Sequence, residues 1–132
     1  MPPLLLVSGA SRGIGRAIAE RGLERGFAVA ALARSADALA SLQALAPDRV
    51  ETIVADVRDQ EAVAAGAAAA IGRFGAPTLV VAAAGVLGPI DRPWLLDSVG
   101  LDEALSITVT GTASVAAATV PAMLAAGRGT FV

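Results

Sequence analysis

Eight residues near the start of the chain, Ser8-Gly9-Ala10-Ser11-Arg12-Gly13-Ile14-Gly15, carry the clearest chemical signal in the sequence. Glycines at 9, 13 and 15 remove side chains at three points. At Gly9 the chain can turn sharply, at Gly13 the backbone can approach an anion, and at Gly15 a helix can pack against a strand. A helix that begins here offers unpaired N–H groups and a partial positive charge, which together suit a phosphate or pyrophosphate. Ile18 falls where the last glycine of Gly-x-Gly-x-x-Gly would stand, so the spacing is a different one. A P-loop is excluded, because it needs a Lys and the chain has none.

The residue types that are absent narrow the chemistry further. The chain lacks Lys, Tyr, His, Asn and Cys, so a carboxylate is the one common general base left to it. Asp91, Asp97 and Asp102 lie in or near a Gly/Pro-marked loop and read as surface and capping residues rather than as such a base. Without thiolate or imidazole, a metal site is not expected. The formal net charge is −2 and the arginines are scattered, which argues against nucleic acid and against an anionic membrane surface as partners. The run Ala104–Gly127 carries no charge and exceeds the ~20 residues of a membrane span. It holds six Ser/Thr, Gly111 and Pro121, and it lacks aromatic belts and basic flanks. A helix buried in protein or at a subunit interface is therefore expected. Met1-Pro2-Pro3 has no basic n-region, so no secretory signal is expected and the cytoplasm is the expected location.

Elements that could position the glycine turn follow from the hydrophobic pattern. Leu4–Val7 is a short apolar run stopped by Ser8-Gly9, as buried parallel strands are. Ile14–Arg25 reads as a helix with Ile14, Ala17 and Ile18 on one stripe. Phe27–Ala33, Val50–Ala55 and Thr78–Ala83 read as further strands, and Gly129–Val132 as the opening of a fifth. Ser35 and Asp59 are placed to cap two intervening helices, and a long helix is expected over Leu101–Ala126 after the loop Val86–Gly100. Strands alternating with helices imply an α/β fold with a parallel sheet. The expectation is one domain over residues 1–132: a Rossmann-type doubly wound sheet of about five strands in order 3-2-1-4-5, between two helical layers. At 55% hydrophobic but only 3% aromatic, its core must be built from Ala, Val, Leu and Ile.

The turn resembles that of the short-chain dehydrogenase/reductase family, whose Gly-x-x-x-Gly-x-Gly is matched by Gly9, Gly13 and Gly15, and the resemblance extends over the whole chain. It implies a nicotinamide dinucleotide on Gly9, Ser11, Arg12, Gly13, Ile14 and Gly15. After the second strand, NAD-preferring members usually carry an acid, and this chain has Ala33-Arg34-Ser35. Arg34 and Arg12 could clamp a 2′-phosphate, which favours NADP over NAD. Asp56-Val57 matches the family's adenine contact, although locally Asp56 reads equally well as a residue leading a helix. Ala82-Ala83-Ala84-Gly85 stands where the family has Asn-Asn-Ala-Gly, so the Ala-Gly backbone is kept and two bracing amides are gone. Thr108 occupies the position of the family's catalytic Asn, and Pro121-x-Met123 matches a feature near that helix's end. Gly85–Ile90 resembles sepiapterin- or benzil-reductase-like members.

The catalytic Ser and the Tyr-x-x-x-Lys that the family places after the fifth strand are not in these residues. The expected function is NADP(H) binding within a fold that elsewhere transfers hydride to and from carbonyl compounds, with no turnover by this chain alone and a small carbonyl substrate only if the fold is completed. The alternative is a non-catalytic dinucleotide-binding or assembly module. An open sheet edge and an unpartnered long helix lead us to expect a homo-oligomer.

Overall fold

Every side chain of Leu4–Ser8 is buried, and so is every side chain of Ala28–Ala33. Strands buried on both faces must lie inside a sheet covered by helices on each side. The computed structural model, which describes residues 1–132, has this arrangement. Its strands β1 (Leu4–Ser8), β2 (Ala28–Ala33), β3 (Val50–Val54), β4 (Pro77–Ala82) and β5 (Thr130–Phe131) form one parallel sheet in the order β3-β2-β1-β4-β5. This is the Rossmann-like order expected from the alternation of elements.

Alternate residues of the central strands feed two separate cores. Leu4 and Leu6 of β1 with Ala28, Ala30 and Leu32 of β2 face helices α3 (Gln60–Phe74) and α5 (Gly111–Ala126). Leu5, Val7, Val29 and Ala31 face the other way, toward α1 (Gly13–Glu24) and α2 (Ala36–Gln43). Because β2 is mostly alanine, its layer is thin and the covering helices sit close. Gly111 is one point of close approach. A Cβ there would come within 2.6 Å of Val57, so α5 can lie against the segment that follows β3 only with glycine at this position.

The helix boundaries follow local chemistry. The Ser35 hydroxyl accepts the Ala38 N–H and opens α2, while the Asp59 carboxylate accepts the Ala62 N–H and opens α3, both as the sequence suggests. The last long helix begins earlier than expected. Asp97 accepts the N–H groups of Val99 and Gly100, so α4 (Ser98–Leu105) starts three residues before Leu101. The expected loop also contains one tight helical turn at Pro93–Leu95. Between α4 and α5 the chain makes a π-helical turn, Ser106–Thr110, so the two helices run on as one rod from Ser98 to Ala126. Hydroxyls of α5 bond back to this turn: that of Thr112 donates to the Thr108 carbonyl (2.6 Å) and that of Ser114 to the Thr110 carbonyl (3.1 Å). Strand β5 is only two residues long, shorter than the four expected.

The rod is long and apolar enough to cross a membrane, but it also packs in the fold, where a third of its most apolar window is buried. Val115, Thr119 and Met123 face the core, while Val99, Leu105, Val109 and Leu124 are exposed. The burial expected for this helix is thus realised on one face only.

The two-sided core sets the cost of truncation. Leu6 is 1% exposed and Leu45 is 60% exposed. Leu6→Ala is expected to destabilise the fold by about 2–5 kcal/mol. Leu45→Ala should change stability by less than about 0.5 kcal/mol. Urea unfolding followed by circular dichroism measures both.

Candidate functional site

The carboxyl ends of β1, β2, β3 and β4 open into one cleft of about 340 Å³. In open parallel sheets this crevice is where ligands bind, because chain reversals on either side leave it uncovered. Gly9, Ser11, Arg12, Gly13, Ile14 and Gly15 form one wall, Arg34 with Asp56 and Val57 another, and Ala83, Ala84 and Gly85 the far side. Of the cofactor-binding residues expected from the sequence, Ala82 alone does not line it; it ends β4 inside the sheet, paired with Ser8, and Thr108 at the expected catalytic position does not line it either. Leu32, Ala33, Ala55, Val86 and Ile107 also line the cleft and were not singled out. Ala33 and Ala55 could have been inferred, since they end or follow strands at the open side of the sheet. Ile107 could not, because its placement depends on the π turn.

Gly9 sits at φ +68°, and a Cβ on it would lie 2.7 Å from the Ala84 nitrogen and 2.8 Å from its Cα. The turn after β1 therefore packs backbone against backbone on the segment after β4. Ser8, fully buried at the end of β1, holds the same junction, because its hydroxyl accepts the Ala84 N–H at 3.3 Å. This bond braces the strand ends where the two family amides are replaced by alanine. No buried side-chain nitrogen or oxygen is left without a partner, so the loss of those amides strands no side-chain polar group. Gly15 packs on the Gly9 carbonyl, so its close approach is to the turn rather than to the strand. Gly13 differs from both. It adopts φ +59°, but a Cβ there would meet nothing within 4 Å, so the space beside it is open cleft.

Helix α1 begins in this opening without a cap. Arg12 at its N-terminus makes no capping hydrogen bond, and there is no acidic residue in the first turn. The first turn-closing bond runs from the Arg16 N–H to the Arg12 carbonyl, which leaves the amides of Gly13, Ile14 and Gly15 without acceptors. Helices α2, α3 and α4 all have side-chain caps. An uncapped helix end lining a cleft is a set of donors directed at an anion.

The arginines of the chain are unevenly satisfied. Arg16, Arg21, Arg58 and Arg73 pair with carboxylates, and Arg49 donates to the carbonyls of Leu23 and Phe27. Arg12, Arg34, Arg25, Arg92 and Arg128 make no such side-chain contact, and of these only Arg12 and Arg34 line the cleft. Asp56 is bound by Arg58, which sequence reasoning did not single out; the Asp-x-Arg spacing just after a strand was the available signal. The Arg58 guanidinium donates to both carboxylate oxygens, at 2.6 Å for the closest contact, and its backbone N–H donates to Oδ1 at 2.9 Å. The side-chain bonds, then the backbone bond, lower the Asp56 pKa from 3.8 to about 2, with the charge of Arg34 adding to the effect and partial burial opposing it. Asp91, Asp97 and Asp102 do not line the cleft. Asp97 caps α4, Asp91 accepts the Arg92 N–H, and Asp102 is exposed, which matches their expected surface and capping roles.

Two predictions follow from this geometry. Gly9→Ala forces a left-handed alanine into backbone atoms and should destabilise the fold by more than about 2 kcal/mol. Gly13→Ala meets only the conformational cost of about 1 kcal/mol, so thermal melts of the two variants should separate clearly. The second concerns pH. A carboxyl whose pKa is depressed on folding stabilises the fold above its unfolded value of 3.8, and that contribution is lost as pH falls from about 4 toward 2. Arg58→Ala should return the Asp56 carboxyl toward 3.8, read by carbon-detected NMR titration, and should flatten the acid limb of the stability curve between those limits.

Comparison with known proteins accords with the geometry. The short chain dehydrogenase family profile matches residues 3–132. An NADPH-dependent pterin aldehyde reductase of Arabidopsis thaliana is 29% identical over 97% of this chain and 54% of its own. A short-chain dehydrogenase structure from Streptomyces avermitilis superposes with a TM-score of 0.90 at 34% identity, over 99% of this chain and 48% of that one. Carveol dehydrogenase from Mycobacterium avium, solved in complex with NAD, gives 0.91 at 27% identity, over 98% of this chain and 52% of its own. The chain spans about half the length of the curated relatives it matches. With its profile match over almost every residue, its strand order and its glycine turn, the chain belongs to the short-chain dehydrogenase/reductase family and has that family's oxidoreductase fold.

Proposed function

We propose that this chain binds NADP(H) in the cleft and forms the cofactor-holding half of a carbonyl/alcohol oxidoreductase, without turning over substrate by itself. The observation that carries this reading is the pairing of three unsatisfied amides at the start of α1 with two unpaired arginines, Arg12 and Arg34, around one opening. In this reading the amides of Gly13, Ile14 and Gly15 hold the pyrophosphate, and the open space beside Gly13 admits it. Arg34 and Arg12 hold the 2′-phosphate by charge-assisted hydrogen bonds. Asp56 accepts from the adenine amine and Val57 packs on the ring. Ala83, Ala84 and Gly85 offer a smooth backbone surface to the ribose and nicotinamide side. The bound nicotinamide supplies the hydride chemistry.

An NADPH-dependent relative and an NAD-bound structural neighbour show that the fold serves either dinucleotide. The preference for NADP therefore rests on Arg34 standing where an acid would otherwise accept ribose hydroxyls. The absence of Tyr and Lys from these residues supports the lack of turnover. Thr108 and Ala82-Ala83 favour a second reading, a non-catalytic dinucleotide-binding or assembly module, since they alter positions that carry catalysis in the family. In both readings the chain works in the cytoplasm and self-associates through apolar residues exposed along the rod Ser98–Ala126, such as Val99, Leu105 and Val109.

Fluorescence titration with NADPH tests the binding directly, and saturable binding is expected. Addition of aldehydes or diketones should then cause no NADPH oxidation. Absence of binding would overturn the proposal, and turnover would overturn its second half. Arg34→Ala should weaken NADPH by about tenfold or more while leaving NADH nearly unchanged, since charge-assisted bonds to phosphate contribute about 1.5–3 kcal/mol. Equal losses for both dinucleotides would refute the 2′-phosphate role. Sedimentation should show concentration-dependent association, and a clean monomer at high concentration would contradict self-association.

A further inference from the structure

Arg34 and Asp56 are opposite charges on the rim of one cleft, each just past the end of one of the neighbouring strands β2 and β3. They do not pair. The Asp56 carboxylate is taken up by Arg58, whose Nε donates to Oδ1 (3.0 Å) and Oδ2 (3.2 Å), whose terminal nitrogen donates to Oδ2 (2.6 Å), and whose backbone N–H donates to Oδ1 (2.9 Å). A fork of this kind fixes the orientation of the carboxylate as well as its charge. Arg58 does not itself line the cleft. It is an exposed side chain that also lies in the field of Glu103 on α4.

Without Arg58, Asp56 would be an unpaired carboxylate on the rim that also holds Arg34, whose charge already acts on it. An Arg34–Asp56 pair would neutralise the charge that a phosphate needs and would occupy the donors that would bind it. We propose that Arg58 is a positioning residue for selectivity: by holding Asp56 it keeps Arg34 unpaired and available to the additional phosphate of a phosphorylated dinucleotide. This rests on the NADP(H) reading above. It goes beyond that reading by assigning the preference to a residue that touches no part of the ligand and acts through a competing carboxylate. Asp56 thereby has two consequences, one favourable to the adenine and one adverse to the 2′-phosphate, and Arg58 suppresses only the second.

The test compares NADPH and NADH dissociation constants, by fluorescence titration, for the wild type, Arg58→Ala, Arg58→Gln, Arg34→Ala and the double variant Arg58→Ala/Asp56→Asn. Loss of Arg58 should lower the NADPH-to-NADH preference by about threefold to fivefold, the range of an exposed ion pair. The double variant should recover the preference, because no carboxylate remains to compete, even though both dinucleotides lose the adenine contact. A merely structural role would shift both affinities together and leave the ratio unchanged. A second readout needs no dinucleotide: in Arg58→Ala the Arg34 side-chain N–H resonances should move as the new pair forms, and should return in the double variant. An unchanged ratio in both single Arg58 variants, or a lowered ratio that Asp56→Asn does not restore, overturns the inference. If Arg34→Ala lowers the ratio while the Arg58 variants do not, the NADP(H) reading stands and this inference alone fails. If the wild type binds neither dinucleotide, both fail together.

Discussion

The contact between Gly9 and the backbone of Ala83 and Ala84 is the constraint on which the cleft depends. Two loops leaving adjacent strands can meet this closely only if one of them has no side chain at the crossing and can take a left-handed turn. That meeting fixes where α1 begins. The Ala10 N–H donates to the Leu32 carbonyl at 3.1 Å, which ties the same turn to β2. The turn is thus anchored to the strands on both sides of β1, and the first amides of α1 emerge over the sheet at a defined height. Anchoring by backbone and by the buried Ser8 hydroxyl leaves the side chains of Ser11, Arg12 and Ile14 free on the cleft side.

The sheet makes this geometry possible through its thinness. A central strand of Ala28-Val29-Ala30-Ala31-Leu32-Ala33 gains less hydrophobic stabilisation per residue than one of larger side chains, because burial scales with apolar area. It compensates by letting helices pack closely on both faces, and the larger side chains of β1, α2 and α3 fill the remaining volume. Where thickness would interfere with the site, the chain uses glycine or alanine: Gly111 under Val57, and Ala33, Ala55, Ala83 and Ala84 along the cleft floor. The result is a trough of small side chains lined about equally by polar and apolar groups, with Arg12, Arg34 and Asp56 as its charges.

Much of this was legible in the residues. The strand–helix alternation, the strand order, the caps at Ser35 and Asp59, and the glycine turn all come from local patterns whose physical cause is local. What the sequence did not disclose depends on contacts between distant segments or on departures from regular helix geometry. The π turn at Ser106–Thr110 has no signature in residue type, yet it brings Ile107 to the cleft. Ser8 looked like the end of a strand, and its brace to Ala84 arises from a pairing of residues far apart in the chain. Asp56 could be read from sequence either as a helix leader or as an adenine contact. The structure shows its carboxylate held by Arg58, through both the guanidinium and the backbone N–H. The α4 boundary was missed because Asp97, expected to be a surface or capping residue, was not tied to a particular helix start, which its bonds to Val99 and Gly100 locate.

The departures from the family pattern fall on one side of the cleft. The glycine turn, Arg34 and Asp56 surround one end of the cleft. Ala82-Ala83 and Thr108 fall on the opposite side, beside the segment after β4 and the π turn; a Cβ on Gly85 would lie 3.8 Å from the Thr108 hydroxyl. A fold can tolerate such changes on one side because the two sides are held by different means. The glycine-turn side rests on backbone amides and on Gly9 and Gly15, whose close backbone contacts leave no room for a side chain. The other side is held by the Ser8 hydroxyl and by apolar packing, which accept alanine without leaving a buried polar group unpaired. The two sides of the cleft are therefore held independently, and a substitution on one need not disturb the other.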